Sequence, residues 1–492
     1  MIDLGKTQKD YAFYLPAISS FYVKQLEKLQ KEGAPRIPEG LELGHEGMDF
    51  LKDKDTYYYY PWGLYSAGHA QLDLEKLDAD AMITNRDRSK TMILGDSGGF
   101  QIATGVIKMD WANAINPNDP EREKLVDKIL KWEEEQCDWA MTLDVPPFAA
   151  FPPFNKKTGL ETFEQTMTIS LYNLDYYMKN RTPGKCKFLN VMSGVDQPTC
   201  DEWYEKVKHF SDPKFCQEAY GNSELALEGY AFADLQKRNM RMALRRILKL
   251  REDGLLEGKG WIHFLGTGKL NWACYLTSIQ RMLRKHDSPN ICLSMDAASP
   301  FVNSAYGSTY THNSFHPKKF SYLMDRAIDN QALKGSDLPM PFAHSPIMER
   351  LTVGDICAMA EGDLDKNGKA KGPDSTSWDT QSYLYYMGHS VYNHITAVQE
   401  ANRLADVEAH RDPVCFKHWK KPSKKASKAQ EVSPYVPVNI LYFQNFVEEV
   451  LNPNCPNPRE LIKENNDMLS FFSMGGEDDG TKEEILDEFF DF

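Results

Sequence analysis

The chain has 492 residues, of which 41% are hydrophobic, and a formal net charge of −14. Its length and apolar content indicate a globular protein with one large barrel or two to three domains, and no apolar stretch is long enough to cross a bilayer. The N-terminal segment is neither a secretory signal nor an arginine-rich transit peptide, so we expect a cytoplasmic protein without membrane association, and its acidity argues against a general polyanion binder while permitting a local basic groove.

Short apolar runs alternate with longer amphipathic segments along the chain. The runs are typical of buried parallel strands, and segments between them, such as 119–136 and 232–253, carry apolar residues at helical spacing. The predicted strands are residues 11–18, 57–66, 91–96, 138–144, 187–194, 225–232, 261–268 and 291–296. This pattern predicts an α/β fold, a (β/α)₈ TIM barrel with insertions in residues 1–400 and a C-terminal extension in residues 401–492. A doubly wound open sheet is the alternative.

Three of the predicted strands end on an aspartate: Asp96, Asp144 and Asp296. In a barrel the carboxyl ends of the strands converge on one mouth, where active sites are built. A single aspartate at a strand end is explained equally well as the cap of the following helix. Three together favour a site, and the glycines at positions 98 and 99 give backbone freedom that lets a planar ligand approach the main chain.

The segment GDSGG at residues 95–99 also occurs around the nucleophile of trypsin-like serine proteases. A serine of that type needs a histidine base and a buried acid, but His45 and His69, which precede the segment, lack the sequence context of that base. The chain continues with Phe100-Gln101, whereas the proteases continue with proline. The motif therefore does not predict a protease, and Asp96 is the better candidate for the reactive group.

Residues 96–101, Asp-Ser-Gly-Gly-Phe-Gln, resemble the signature of the tRNA-guanine transglycosylase superfamily, which lies at the end of a barrel strand. Five later segments resemble strands of that family in the same order: MTLDVPPF, NVMSG, EGYAFADL, HFLGTG and LSMDAASP. The series covers about residues 90–300 and is far more specific than any single motif.

The resemblance implies a base exchange at a nucleotide. Asp296 would attack C1′, guanine would leave, and an incoming deazaguanine would resolve the covalent glycosyl-enzyme from the same side. This is the plan of a retaining glycosidase, with Asp96 as general acid and base. Asp144 would recognise the base, because a carboxylate accepts hydrogen bonds from N1–H and the exocyclic amine of guanine or a 7-deazaguanine. The target nucleotide must leave its stack to enter such a pocket.

The same resemblance implies further positions around the base. Phe100 and Leu265 would sandwich the ring, although ordinary core packing explains both residues equally well. Ser193 and Gly194 would line the side of the 7-substituent. The complete predicted pocket beside the catalytic pair is Ser97, Gly98, Gly99, Phe100, Asp144, Ser193, Gly194, Leu265 and Gly266.

The family's zinc tetrad, Cys-x-Cys-x-x-Cys followed by a distant histidine, is missing from the sequence. Residues 333–351, where it should lie, contain no cysteine, and the nine cysteines form no Cys-x-x-Cys pair. We therefore expect no cofactor, no structural zinc and no disulfide framework. His389 and His394 fall near the position of the family's histidine-bearing helix, but core histidines are the simpler interpretation. The alternative is an irregular metal site built from Cys357, His394, Cys415 and His418.

Other positions also depart from the tRNA enzymes. Ser193 replaces a glutamine, Ala233-Asp234 replaces Gly-Gly, and the loop after the predicted nucleophile lacks their arginine. In these respects the chain resembles the divergent DNA branch of the superfamily, the DpdA-type enzymes that insert 7-deazaguanines such as 7-cyano-7-deazaguanine (preQ0) into phage or bacterial DNA. We predict DNA and a free 7-deazaguanine base as partners, in the host cytoplasm if the chain is phage-encoded. The alternative acceptor is tRNA, and an oligomer is compatible with the sequence.

The C-terminal region adds a lysine-rich segment around Trp419, at residues 415–430. Its composition suits phosphate contacts and stacking, although a solvated basic loop explains it equally well. The predicted contacts are Lys420, Lys421, Lys424 and Lys425. Residues 475–492 form an acidic, partly apolar tail.

A last alternative is a catalytically inactive barrel that binds nucleic acid as a scaffold or as a partner subunit. The presence of both Asp96 and Asp296 speaks against it, because an inactive relative has no need of either carboxylate.

Overall fold

Eight parallel strands form the centre of the molecule, described here from a computed structural model that covers residues 10–74, 80–316, 319–342, 344–406, 415–421 and 436–473. The strands are β1 (Phe13–Pro16), β2 (Trp62–Ser66), β3 (Met92–Asp96), β4 (Trp139–Met141), β5 (Lys187–Met192), β6 (Gly229–Phe232), β7 (Trp261–Phe264) and β8 (Cys292–Ala297). Strands β2 to β8 pair in chain order, and β1 pairs with β8.

The sheet closes almost completely between β1 and β2. The backbone N–H of Ile18 donates to the carbonyl of Leu64 at 2.9 Å, just beyond the end of β1. The predicted (β/α)₈ TIM-type barrel is therefore confirmed, and the open doubly wound sheet is wrong.

Helices alternate with the strands on the outside of the barrel. They are α1 (Ser20–Glu32), α2 (Ala81–Thr84), α3 (Gly99–Ala103), α4 (Pro120–Gln136), α5 (Asn155–Thr158), α6 (Phe163–Asn180), α7 (Gln197–Val207), α8 (Pro213–Tyr220), α9 (Asp234–Arg238), α10 (Met240–Glu252), α11 (Leu270–His286) and α12 (Ser299–Ala305). The predicted helix at 119–136 is α4, which begins where the Asp119 carboxylate accepts from the N–H of Arg122. The segment 232–253 is instead split, because the Asn239 side chain caps a new helix, α10.

Several strands are shorter than predicted, which matters most for β4. This strand ends at Met141, so Asp144 lies three residues beyond it instead of at its end. The chain leaves the sheet there and forms a 3₁₀ turn over Pro147–Ala150. Pro146 and Pro147 have no N–H to donate to a neighbouring strand, so the segment beyond Asp144 cannot rejoin the ladder.

The inside of the barrel is mainly apolar. Its side chains come from alternate positions of the strands, as the two-residue period requires. The buried members are Phe13, Leu15, Leu64, Leu94, Met141, Leu189, Val191, Ala231, Ala233 and Trp261. Two fully buried polar residues, His263 on β7 and Ser294 on β8, have the same parity as the interior positions of their strands.

The remaining described elements follow the barrel in sequence. An antiparallel hairpin of β9 (Ser308–His316) and β10 (Lys319–Arg326) comes first. The helices that follow are α13 (Val353–Ile356), α14 (Thr380–Ala405), α15 (Val438–Val450), α16 (Pro458–Glu464) and α17 (Asn466–Phe472).

The helices after the predicted domain boundary pack directly on the barrel. That boundary, residue 400, lies inside α14. Tyr275 of α11 contacts Phe443 and Phe472, at ring-centroid distances of 4.5 and 5.4 Å. Among the described residues no helix combines the length and apolar character that a membrane crossing needs.

Candidate active site

Three predicted aspartates are brought together at the carboxyl-terminal mouth of the barrel. Asp96 ends β3, Asp296 lies near the end of β8, and Asp144 follows β4. Burial raises the pKa of Asp96, and the charge of Asp296 adds to that effect. Burial also raises the pKa of Asp144 to about 8, with contributions from the charges of Asp234 and Asp96. Asp96 is therefore within electrostatic reach of both Asp144 and Asp296.

Asp296 is almost enclosed, with a side chain that is 10% exposed, and it is held by two hydrogen bonds. The backbone N–H of Gly266 donates to its Oδ1 at 2.5 Å, and Nε2 of His263 lies 3.2 Å from the same oxygen. Gly266 has φ +57, a left-handed conformation that glycine adopts at little cost. The turn that follows β7 thus places a backbone donor against Asp296, the predicted nucleophile.

Asp96 has polar partners on the β2 side. The backbone N–H of Gly98 donates to its Oδ1 at 3.3 Å, and the Ser66 hydroxyl also bonds it. Despite these bonds, which favour the anion, burial raises its pKa. A carboxyl group that retains its proton is suited to protonate a leaving base.

His69, one of the two histidines that precede the GDSGG segment, lies near Asp96. Nε2 of His69 is 3.2 Å from Nε2 of Gln101, and Ser66 Oγ lies 3.2 Å from Gln101 Oε1. Burial lowers the pKa of His69, whereas the charge of Asp96 raises it. His69 and Gln101 therefore complete the polar surroundings of Asp96 on its β2 side.

The predicted serine and glycines shape the backbone around the acids. Ser97 is buried, and its hydroxyl donates to the carbonyl of Thr142 at 3.3 Å, which joins the ends of β3 and β4. Gly98 has φ +94 and begins the turn into α3. A Cβ at Gly99 would lie 2.9 Å from Oδ1 of Asp144, so glycine allows this backbone to lie against that carboxylate.

Phe100 and Leu265, the residues predicted to sandwich the base, are both partly buried. The ring of Phe100 lies 6.3 Å from that of Phe148, and Leu265 packs against the apolar layer of the barrel. Both residues follow strands of the barrel, β3 and β7 respectively, on the side of the mouth.

A fourth carboxylate, Asp234, completes the mouth. The hydroxyl of Ser193, which is fully buried, donates to its Oδ2 at 2.6 Å. Burial raises the pKa of Asp234, while the bond from Ser193 and the charge of Lys237 oppose that shift. Gly194, with φ +134, lies so close to α7 that a Cβ there would be 2.5 Å from the Cys200 nitrogen.

Asp234 also has an uncommon backbone. Its φ is +46, in the left-handed region that glycine adopts freely and aspartate tolerates at a cost. Sequence reasoning recorded Asp234 as a departure from the resembled pattern but did not predict it as a site residue. The signal was an acid where that pattern has glycine.

Sequence reasoning also missed His263 and Ser294. The indole N–H of Trp261 donates to Ser294 Oγ at 2.7 Å, and that oxygen lies 2.7 Å from Nδ1 of His263. The available signal was their spacing, because Trp261 and His263 on β7, and Ser294 and Asp296 on β8, are two residues apart and so share a strand face.

The predicted basic contacts are only partly within the described residues. Lys420 and Lys421 are exposed, whereas Lys424, Lys425 and the acidic tail lie outside the described residues. Trp419 packs on α17, with its ring 5.8 Å from that of Phe471. Another basic group lies nearer the mouth, since a Cβ at Gly266 would be 2.9 Å from Nζ of Lys237.

The two histidines of α14 are core residues. His394 stacks between Tyr14 and Tyr322, with ring centroids 4.3 Å from each, and burial lowers its pKa to about 3. His389 bonds Ser345 Oγ and the carbonyl of Tyr310, each at 2.8 Å. In the part of the chain that the structure describes, no three His, Cys, Asp or Glu side chains are grouped to hold a metal ion.

No protein-family model matches this chain, and no curated protein was found to match it. The residues of the mouth and their contacts therefore carry the functional inference.

Proposed function

We propose that this protein is a transglycosylase that exchanges guanine in DNA for a 7-deazaguanine base, preQ0 or a close relative. The observation that carries this proposal is that the carboxylates of one barrel mouth have different surroundings. Asp296 faces the N–H of Gly266 and Nε2 of His263, groups placed to stabilise a negative charge, whereas burial favours the protonated form of Asp96. A double displacement needs an anionic nucleophile beside a neutral acid.

In the first step, a carboxylate oxygen of Asp296 bonds to C1′ of the target nucleotide as the bond from C1′ to N9 breaks. The electron pair of that bond leaves with guanine, and Asp96 supplies the proton that neutralises the departing base. In the second step, the incoming base loses a proton to Asp96 and its nitrogen attacks C1′. The ester bond then breaks and its electron pair returns to Asp296, so both carboxyl groups regain their starting states.

Asp144 is positioned to read the base. Gly99 allows the α3 backbone to approach its carboxylate, and the half-buried Phe100 is the next residue. An ionised carboxylate accepts from both N1–H and the exocyclic amine, a donor pair that guanine and its 7-deaza analogues share. Such recognition admits both the outgoing and the incoming base.

The choice of DNA as acceptor is supported by the remodelled pocket. Ser193 and Asp234, which differ from the residues of the resembled tRNA enzymes, bond each other at 2.6 Å beside Gly194. The two differences are therefore coupled, because Ser193 and Asp234 together form one wall of the mouth.

Incorporation of radiolabelled guanine or preQ0 into duplex DNA, with unmodified tRNA in parallel, tests the proposal. We expect label in DNA with the unaltered protein and none with Asp296→Ala. Label in tRNA alone would keep the chemistry and replace the acceptor. Label in neither nucleic acid would contradict the exchange activity and favour a barrel that only binds nucleic acid.

A further inference from the structure

A polar relay crosses the otherwise apolar inside of the barrel. It runs from Trp261 through Ser294 and His263 to Asp296, with successive distances of 2.7, 2.7 and 3.2 Å. His263 and Ser294 are fully buried. Buried polar groups are costly unless they are hydrogen-bonded, and this relay satisfies both ring nitrogens of the histidine.

The carboxylate that faces Nε2 determines where His263 carries its proton, and the donor at the other end of the relay is compatible with that assignment. An indole N–H can only donate, so Ser294 Oγ accepts from Trp261 and is free to donate its own proton to Nδ1 of His263. Nδ1 then accepts, and Nε2 carries the hydrogen that faces Asp296. The other neutral tautomer would turn the lone pair of Nε2 toward the carboxylate, which is repulsive.

Both hydrogen bonds that the described residues make to Asp296 end on the same oxygen. Oδ1 receives the N–H of Gly266 and the Nε2–H of His263. Two donors on one oxygen fix the rotation of the carboxylate and direct the other oxygen, Oδ2, away from them. The two oxygens of this carboxylate are therefore chemically distinct before any substrate binds.

We propose that His263 is a positioning residue that holds Oδ1 of Asp296 as the non-reacting oxygen and leaves Oδ2 to form the bond to C1′. This proposal rests on the proposed transglycosylase function. Oδ1 becomes the carbonyl oxygen of the glycosyl ester and regains negative charge when the ester breaks. His263 stabilises that charge, so it favours release of the carboxylate over persistence of the covalent intermediate.

The other titratable groups around Asp296 come from different strands. Asp96 faces it from β3, and Tyr14 faces it from β1, because the charge of Asp296 raises the pKa of each. The Tyr14 hydroxyl is already engaged, since it donates to the carbonyl of Ala297 at 2.9 Å. His263 is thus the side chain that supplies Asp296 with a hydrogen-bond donor among the described residues.

Three substitutions separate a positioning role from a structural one. His263→Leu removes the donor and should lower kcat about 10- to 100-fold, the range for a lost hydrogen bond to a charged group. KM for the base should not change, because His263 does not face the base. His263→Gln keeps an N–H near the position of Nε2 and should recover most of the activity. His45→Leu is the matched control, since His45 is also buried but bonds Tyr385 and Gln381 of α14 and not Asp296.

The deciding readout is the fraction of enzyme trapped as the covalent adduct on denaturing gels. We expect a larger trapped fraction with His263→Leu than with the unaltered protein, His263→Gln or His45→Leu. An unchanged trapped fraction and kcat with His263→Leu, or equal defects with Leu and Gln, would overturn the role of His263.

A measurement without substrate tests the role of His263 separately from the proposed transglycosylase function. In protein labelled with ¹⁵N-histidine, His263 should show a hydrogen on Nε2, and Asp296→Ala should change that signal. A ring with its hydrogen on Nδ1 and none on Nε2 would overturn the inference whatever the activity. Failure of exchange and of adduct formation in the unaltered protein, with this signal intact, would instead refute the transglycosylase function and with it the role of His263.

Discussion

The two sides of the barrel mouth give their aspartate side chains different hydrogen-bonding surroundings. On the side of β3 to β6, burial raises the pKa of Asp96, Asp144 and Asp234, and the charges of Asp234 and Asp96 raise that of Asp144 further. On the side of β7 and β8, Asp296 is also buried but receives two N–H donors on one oxygen. The difference teaches that the placement of donors, and not burial alone, distinguishes Asp296 from the other carboxylates of the mouth. In the proposed reaction, one side holds protons and the other holds the nucleophile.

Removing the proton carrier should have the largest effect on the β3 side. Asp96→Asn should lower kcat about 100- to 10,000-fold, the usual contribution of general acid–base catalysis. Because the pKa of Asp96 is raised, the unaltered enzyme carries the proton below that pKa and should lose kcat as pH rises through it. The measurement is kcat against pH at saturating base. A steep pH dependence that survives in Asp96→Asn would assign the proton to another group.

Base recognition should depend on the ionisation of Asp144. Its pKa of about 8 means that below pH 8 the carboxylate must lose a proton before it can accept two hydrogen bonds from the base. Affinity for guanine should therefore rise about tenfold per pH unit up to about pH 8 and then level off. Titration calorimetry at several pH values measures this.

Asp144→Asn is the matched variant for that titration. It should bind about 10- to 100-fold more weakly than the unaltered protein at pH 8.5, since an amide oxygen replaces a charged acceptor pair, and its affinity should not vary with pH. Equal affinity of the unaltered protein at pH 6 and pH 9 would remove Asp144 from base recognition.

The same carboxyl group should also influence stability. An acid with a raised pKa binds more protons folded than unfolded, so between its usual value of 3.8 and about 8 the protein loses stability as pH rises. Asp144→Asn removes this loss, and its Tm advantage over the unaltered protein should grow from pH 5 to pH 8. Thermal unfolding at these pH values measures the difference. A constant Tm difference would mean that the pKa of Asp144 is not raised.

The smallest expected effect concerns the backbone at Asp234. Glycine adopts its φ of +46 without strain, whereas alanine does not. Asp234→Gly should therefore exceed Asp234→Ala in stability by about 1 kcal/mol, measured by urea unfolding. Both variants remove a charge that raises the pKa of Asp144, so both should bind guanine more tightly at pH 7. Equal stabilities would show that Asp234 is not strained.

The sequence predicted the barrel because parallel strands buried on both faces are short apolar runs, and it placed Asp96 correctly because that residue ends its strand. Asp144 was misplaced by three residues, because β4 ends at Met141 and no periodicity in the sequence marks that end. The contact of His263 with Asp296 joins residues 33 positions apart. Such a contact depends on the register between β7 and β8, which a single sequence does not specify.

The α9–α10 region and Asp234 show the same limit at the local scale. The apolar pattern of 232–253 continues across Asn239, but the side chain of Asn239 bonds the N–H of Met242 and starts a second helix. Asp234 has a positive φ, and its carboxylate accepts from Ser193, which is 41 positions away. A local side-chain cap thus interrupts the helical pattern at Asn239, and Asp234 is held by a contact that the pattern does not contain.

The most direct measurement is mass spectrometry of peptides from enzyme denatured during turnover with guanine-containing DNA. We expect one peptide that contains Asp296 to carry a nucleotide-linked mass, and we expect that mass to disappear when excess 7-deazaguanine is added before denaturation. An adduct on Asp96 or Asp144, or exchange that proceeds with no adduct on any peptide, would contradict the assignment of Asp296 as the nucleophile.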